Sequence, residues 1–250
     1  MTDRFRLDGQ IALVNGASRG IGKAIAVGLA EAGATLALAA RSTDALRQTA
    51  QQIGGSALVI PTDMRDPDQA RLMVSRTVAE FGRIDILVNA AGVALRGPGS
   101  SIQAIEITDI FASNFNGIAV ACAEAGNHFL AQQSGRVINI ASLASFKGVP
   151  GRALYGATKA AIAQLTRTLA VEWGPNGTCV NAIAPGWIET DFTRDFLAQP
   201  QARERIIERT PLRRIGQPDD IVGLALFLAS PAAAFVTGQV ICCDGGYSVT

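Results

Sequence analysis

Three side chains in one stretch of this sequence have the types and spacing for proton transfer: Ser142, Tyr155 and Lys159. Tyr155 and Lys159 frame Tyr-Gly-Ala-Thr-Lys, which opens an alanine-rich segment of helical periodicity running to Trp173. Residues four apart lie one turn apart on the same helix face, so both side chains can enter a single site. A phenol titrates at about pH 10 and is a poor acid–base group at neutrality. A neighbouring ammonium favours the phenolate and would bring Tyr155 toward the working range. Ser142 follows the apolar run Arg136–Ala141, which reads as a strand. From the carboxyl end of that strand its hydroxyl can hydrogen-bond an oxygen that the tyrosine protonates or deprotonates. Such a set needs a reactant beside it, and the start of the chain supplies one.

Gln10 to Asn15 reads as a buried strand, followed by Gly16-Ala-Ser-Arg-Gly-Ile-Gly22 and a helical pattern from Lys23 to Glu31. Strand, glycine-rich turn and helix start in that order form a phosphate cradle, with backbone N–H groups facing the charge. The spacing is GxxxGxG rather than GxGxxG, so a tight strand-to-helix turn competes with the nucleotide reading. The next strand, Thr35–Ala40, ends at Arg41-Ser42. NAD-binding units place Asp or Glu there, about 20 residues past the glycines, to hold the ribose 2′-OH. Here Ala39 and Ala40 take the place, and Arg41 with Arg19 suits a 2′-phosphate through bidentate guanidinium contacts. The cofactor expected is therefore NADP(H), with NAD(H) second. Asp44 is the nearby acid that could fold back to the ribose.

The elements that must position these groups recur along the chain. Asp63, just past the strand Ser56–Ile60, either meets an adenine amino group or caps the helix beginning near Pro67. Asp85–Asn89 is a further strand, and the small residues Ala90-Ala91-Gly92 after it leave room for a flat ligand. The glycine-rich loop Val93–Ser101 borders the site. Ile102 to Gln133 reads as mostly helical, where an asparagine such as Asn114 ordinarily faces solvent. Two more strands are expected over Cys179–Ala184 and Gln239–Cys243, with a helix over Gln217–Ser230 between them. Residues 187–216 are the longest break in the β-α alternation and carry Trp187, Phe192 and Phe196, a pattern that suits a substrate lid. No linker divides residues 1–250. The fold class is α/β: one doubly wound parallel sheet of about seven strands, helices on both faces, ligands beyond the strands' carboxyl ends.

Hydrophobic residues make up 48% of the chain and charged residues 17%, with a formal net charge of +1. Those figures argue against disorder and against a general electrostatic grip on nucleic acid or an anionic membrane. No long apolar span suggests a membrane helix, and Met1–Gly9 is too polar for a signal peptide, so a cytoplasmic setting is expected. The four cysteines form no CxxC pair, and Cys242-Cys243 in an apolar run read as buried thiols. His128 is the sole histidine, more suited to the surface than to catalysis, so no metal site is expected.

Taken in this order, Asn15–Gly22, Asn89–Gly92, Asn114, Ser142, Tyr155-x3-Lys159, Pro185-Gly186 and Asp244–Gly246 resemble the short-chain dehydrogenase/reductase family. The resemblance runs from Leu7-Asp8-Gly9 to the end. It implies that Tyr155 is the general acid–base, that Ser142 polarises the carbonyl, and that Lys159 binds the nicotinamide ribose and tunes Tyr155. Asn114 would hold a water in a proton relay from Lys159. Gly16, Ser18, Arg19, Ile21 and Gly22 would form the phosphate turn, with Arg41 and Ser42 at the 2′-position. Asp63 and Met64 would meet adenine, and Asn89, Ala90 and Gly92 would shape the adenine–ribose side. Pro185, Gly186, Ile188 and Thr190 would reach the carboxamide and pyrophosphate. Two residues depart from the family pattern: Asn15 stands where Thr is usual, with a small effect expected, and Ala90 replaces an Asn that often stabilises the central strand.

The implied activity is hydride transfer between nicotinamide and a ketone or secondary alcohol, on a 3-oxoacyl thioester or, alternatively, a sugar acid or polyol. A homotetramer is implied too, packed through the helices bearing Asn114 and Tyr155 and through the C-terminal strand. Leu95, Arg96, Phe146, Val149, Leu154, Trp187 and Phe192 are the candidate pocket residues, mostly apolar with one cation. A non-catalytic nucleotide-binding regulator would be expected to lack Tyr155 or Lys159, and both are present. A methyltransferase would want an acid after the second strand, which Ala40-Arg41 opposes.

Overall fold

Apolar runs too short for helices and too continuous to alternate can be buried only as strands covered on both faces. Seven runs form strands in the computed structural model, which describes residues 3–250, and the two at the edges of the sheet are only partly covered. They are β1 Ile11–Asn15, β2 Thr35–Ala40, β3 Leu58–Pro61, β4 Ile86–Asn89, β5 Gly135–Ile140, β6 Thr178–Pro185 and β7 Val240–Cys243. All pair in parallel, in the order β3-β2-β1-β4-β5-β6-β7. The order reverses between β1 and β4, which opens a crevice at their carboxyl ends where ligands of such sheets bind.

Helices α1 (Gly20–Glu31), α2 (Thr43–Gln52) and α9 (Asp219–Ala229) cover one face through Ile25, Leu29, Leu46 and Leu228. Helices α3 (Pro67–Phe81), α5 (Gly117–Gln132) and α6 (Ala153–Trp173) cover the other through Met73, Phe129, Ile162 and Trp173. Short helices α4 (Ala104–Phe111), α7 (Arg194–Leu197) and α8 (Pro200–Arg209) complete the chain.

Several local expectations are revised. Helix α1 begins at Gly20, not Lys23, so part of the glycine turn is the helix's own first turn. The helical stretch before β5 is broken by a π-helical turn, Ala112–Asn116, between α4 and α5. Asp66, not Asp63, caps α3, its Oδ1 accepting from the N–H groups of Asp68 (2.9 Å) and Gln69 (3.3 Å). Cys242 is exposed and Cys243 half-buried, contrary to the buried thiols expected of an apolar run. The reason is topological: β7 is the edge of the sheet, paired only to β6. Trp187 and Phe196 stack with centroids 5.0 Å apart, and Leu197, Ile206 and Ile215 pack with them into a small separate core. An isolated bridge, Ile188 to Gly216, ties the two ends of that segment together.

Beneath the crevice runs a buried amide ladder. Asn15, Asn89 and Asn139 sit in register on β1, β4 and β5. Asn15 Nδ2 donates to Asn89 Oδ1, Asn89 Nδ2 to Asn139 Oδ1 (2.8 Å), and Asn139 Nδ2 to Thr166 Oγ1 on α6 (2.9 Å). Asn15 Oδ1 accepts from the Ala91 N–H at 2.9 Å. Asn15 keeps the hydrogen-bonding capacity expected of it: its amide reaches across to the exit of β4, the strand end at which Ala90 itself carries none. Because each member satisfies the next, removing one strands two others in a dry interior. Asn139→Ala is expected to cost about 1–3 kcal/mol of unfolding free energy, measured by urea denaturation with an unchanged m-value.

Candidate active site

The carboxyl ends of β1, β2, β4, β5 and β6 feed one cleft of about 1170 Å³, reaching from Arg41 and Asp63 at one end to Tyr155 and Phe192 at the other. That exceeds the roughly 300–1,000 Å³ usual for one small ligand and leaves room for a second. Gly16 has φ +78°, and a Cβ there would lie 2.7 Å from the backbone nitrogen of Ala91. At Gly22 a Cβ would fall 2.3 Å from the carbonyl oxygen of Gly16. These contacts allow only glycine, and they pull the turn tight under the start of α1. Residue Arg19, at the N-cap, supplies no side-chain acceptor, so the first N–H groups of α1 have no side-chain cap. Arg41 is exposed at the end of β2 with no ion-pair partner among the described residues. Uncapped N–H donors, a free guanidinium and a long cleft fit a phosphate-bearing dinucleotide.

At the other end, Ser142 leaves β5 in extended conformation and caps a short turn, its Oγ accepting from the Ala144 N–H at 3.2 Å. Ser145, in the same turn, donates its hydroxyl to the Lys159 carbonyl at 2.9 Å, clamping the serine loop to α6. The side chains of Ser142 and Tyr155 both line this end of the cleft. Lys159 is buried, and its Nζ donates to the Ile140 carbonyl at 2.7 Å. Burial is what holds its ammonium down to about 8. Tyr155 departs from the expectation that its lysine lowers it. Burial raises its phenol above the ordinary value, opposed by the neighbouring Ser142 hydroxyl and by the charge of Arg152. Lys159 Nζ lies 5.9 Å from the tyrosine ring centroid, while the Arg152 guanidinium lies 5.4 Å away, stacked over the ring.

Asn114 does not face solvent as a mid-helix asparagine ordinarily would. It is fully buried, and the π-helical turn aims its amide at the loop after β4. Its Oδ1 accepts from the Val93 N–H (2.8 Å), while Nδ2 donates to the Val93 carbonyl (3.0 Å) and to Thr158 Oγ1 (3.3 Å). A methyl placed on Gly92 would lie 3.4 Å from Asn114 Oδ1 and 3.5 Å from Lys159 Nζ, so both polar ends converge on that glycine.

Gly16, Ser18, Arg19, Ile21, Gly22, Arg41, Ser42, Asp63, Met64, Ala90, Gly92, Pro185, Gly186, Ile188 and Thr190 all line the cleft, as do Ser142, Tyr155 and Lys159. Asn89 and Asn114 do not: Asn89 lies beneath the floor in the amide ladder, and Asn114 lies behind the wall on Val93. Asp63 is paired to Arg65 at 2.6 Å, which holds its carboxylate below the usual range. Of the substrate-pocket candidates, Val149, Trp187 and Phe192 reach the wall. Leu95, Arg96, Phe146 and Leu154 do not; Arg96 lies outside it, over the Phe196 ring at 4.3 Å, and Phe146 is exposed. Sequence reasoning passed over Lys147, Arg152, Asp191 and Tyr247, all in the wall. Arg152 gave no helix-face signal, because it precedes the helix as its N-cap in a non-helical conformation (φ −124°, ψ 23°).

Residues 16–248 match the family model described as enoyl-(acyl carrier protein) reductase. The 2-dehydro-3-deoxy-D-gluconate 5-dehydrogenase of Pseudoalteromonas atlantica is 40% identical, with 99% of each chain covered. The 3-oxoacyl-[acyl-carrier-protein] reductase of Synechocystis sp. is 39% identical over 96% of this chain and 97% of its own. The crystal structure of a gluconate 5-dehydrogenase from Burkholderia cenocepacia, in complex with NADP and tartrate, superposes with a TM-score of 0.94. It is 36% identical, covering 99% of this chain and 98% of that one. Likeness at this level, over nearly the full length, means that the chain belongs to the short-chain dehydrogenase/reductase family of nicotinamide-dependent oxidoreductases.

Proposed function

We propose that this protein is an NADP(H)-preferring enzyme that interconverts a ketone and a secondary alcohol, with Tyr155 as its acid–base group. The observation that carries the reading is the convergence of the Ser142 and Tyr155 side chains on a cleft whose far end is Arg41. The bound cofactor supplies or accepts the hydride at its nicotinamide. Tyr155 gives its proton to the carbonyl oxygen in reduction and takes it back in oxidation. Ser142 donates a hydrogen bond to that oxygen as negative charge develops on it. Lys159 would hold the cofactor's ribose and, with Asn114 behind it, would pass a proton outward through water. Residues 187–216 close over the substrate, with Phe192 the aromatic nearest Tyr155, at 5.6 Å between centroids. Loss of reduced-nicotinamide absorbance against a panel of neutral ketones, sugar-acid ketones and 3-oxoacyl thioesters tests the reading. Turnover of none of them with either cofactor would remove it.

The remaining parts of the proposal are a single catalytic domain spanning residues 1–250, a cytoplasmic setting and a homotetramer. Among the described residues no helix is long and apolar enough to cross a membrane, and the cysteines are free thiols. Ile105 and Ile107 on α4, and Val171 on α6, are exposed apolar side chains beside the helices expected to meet their symmetry mates. Val249, 84% exposed past the edge strand β7, supports a second interface there. Light scattering is expected to give about four times the 26.0 kDa chain mass; a monomer at micromolar concentration would exclude the tetramer.

A further inference from the structure

Arg152 is the one side chain in the wall of the cleft whose chemistry the proposed reaction leaves unused and whose placement is costly. It is 7% exposed, and its Nη1 is buried without a hydrogen-bond partner. No carboxylate lies within ion-pair distance of it among the described residues. The groups facing it are two rings: Tyr155, with its centroid 5.4 Å from Cζ, and Phe192, at 5.6 Å. The charge that acts most on it is that of Arg96, of the same sign. Stacking on aromatic faces is favourable but does not satisfy in-plane N–H donors. A guanidinium taken from water and left unpaired is strongly disfavoured, so such a group is kept where an anion arrives to pair with it.

We propose that Arg152 is the receptor for a carboxylate on the substrate, which makes the substrates oxo acids and their hydroxy-acid products rather than neutral ketones. This rests on the ketone–alcohol reading above. The guanidinium is stacked on the ring of the proton donor, so the carboxylate is carried close to the reacting carbon. Its in-plane N–H groups donate to both oxygens of a carboxylate in a bidentate fork, which sets the angle at which the carbonyl meets Tyr155 and Ser142. Phe192 belongs to the segment that closes over the cleft, so closure also removes water from the new ion pair. Lys147, another cation in the wall, is already committed: its Nζ donates to the carbonyl oxygens of Tyr247 (3.1 Å) and Thr250 (2.7 Å).

The test uses straight-chain oxo acids of increasing spacing between ketone and carboxylate, each beside its methyl ester, which keeps the ketone and removes the charge. Wild-type enzyme is expected to prefer an acid over its ester in kcat/KM at the best spacing. In Arg152→Gln that acid-to-ester ratio falls by about ten- to a hundredfold, the loss of one charged hydrogen bond, mainly through KM. Arg152→Lys recovers part of it, because the charge returns without the fork. A wild-type ratio near one overturns the proposal without any variant. So does an equal loss on acid and ester together with a displaced pH profile, since Arg152 would then act on Tyr155 alone. Reduction of the esters by wild-type enzyme shows that the ketone–alcohol reading stands even where the carboxylate preference fails. No turnover of acid or ester overturns both.

Discussion

Tyr155→Phe lowers kcat by at least ~10²-fold while the dissociation constant for the cofactor changes little. Loss of a positioned general acid–base group typically costs about 10²–10⁴ in rate, so the lower figure removes about 2.7 kcal/mol of transition-state stabilisation. The ring stays in place, packed against Arg152 and Phe192, so packing and cleft shape persist. Burial holds the phenol above its ordinary value, and a phenol so held stays protonated through the neutral range. Reduction, which needs the proton on Tyr155, is therefore not limited by that proton near neutrality. The reverse reaction needs the tyrosinate and should accelerate as pH rises. Lys159 gives the opposite sign: lowered to about 8 by burial, it loses its charge above that pH, and reduction should decline there. Rates of both directions across pH, with the folded state of each variant checked by circular dichroism, measure these effects. Near-normal turnover in a folded Tyr155→Phe protein sinks the assignment.

Cofactor choice should turn on the end of β2. The native enzyme is expected to prefer NADPH, and Ala40→Asp combined with Arg41→Ala should reverse the preference. Each charged hydrogen bond to a 2′-phosphate contributes about 1.5–3 kcal/mol, so losing Arg41 should weaken NADP(H) binding roughly ten- to a hundredfold. The added carboxylate accepts from a ribose 2′-OH and repels a phosphate, so the double change acts on both sides of the discrimination. Asp44, which could have reached back to the ribose, is 90% exposed, lies 3.7 Å from Arg47 and does not line the cleft. Arg19 is less free than Arg41, being 3.5 Å from Asp191 across the mouth of the cleft. The larger share of the preference is therefore assigned to Arg41. Equal or better kcat/KM with NADH in the unmutated enzyme would refute this.

Where sequence and structure part company, the cause is topology rather than local chemistry. Apolar runs, glycine turns and the Tyr155–Lys159 spacing depend on neighbours in the chain, and these elements appear where the periodicity places them. Strand order does not depend on such neighbours. Cys242 and Cys243 look like core thiols in sequence and are not, because β7 is an edge. Asn114 looks like a solvated helical residue and is buried, because a π-helical turn redirects its amide to Val93. Asn89 looks like a ligand residue and lies under the floor, because register on three strands joins it to Asn15 and Asn139.

By itself the sequence determined the α/β class, the phosphate turn with its glycines, the absence of an acid after β2, and the tyrosine–lysine pair on one helix face. Each follows from residues within a few turns of one another, where covalent geometry fixes the distances. Only the tertiary structure decided which charge faces Tyr155. Lys159 donates to the Ile140 carbonyl with its Nζ 5.9 Å from the ring centroid, and the unpaired Arg152 guanidinium lies over the same ring at 5.4 Å. The electrostatics of a buried group depends on everything packed around it, including strands and lids distant in sequence. That is why the proton donor was legible in the chain, and the cation stacked on it was not.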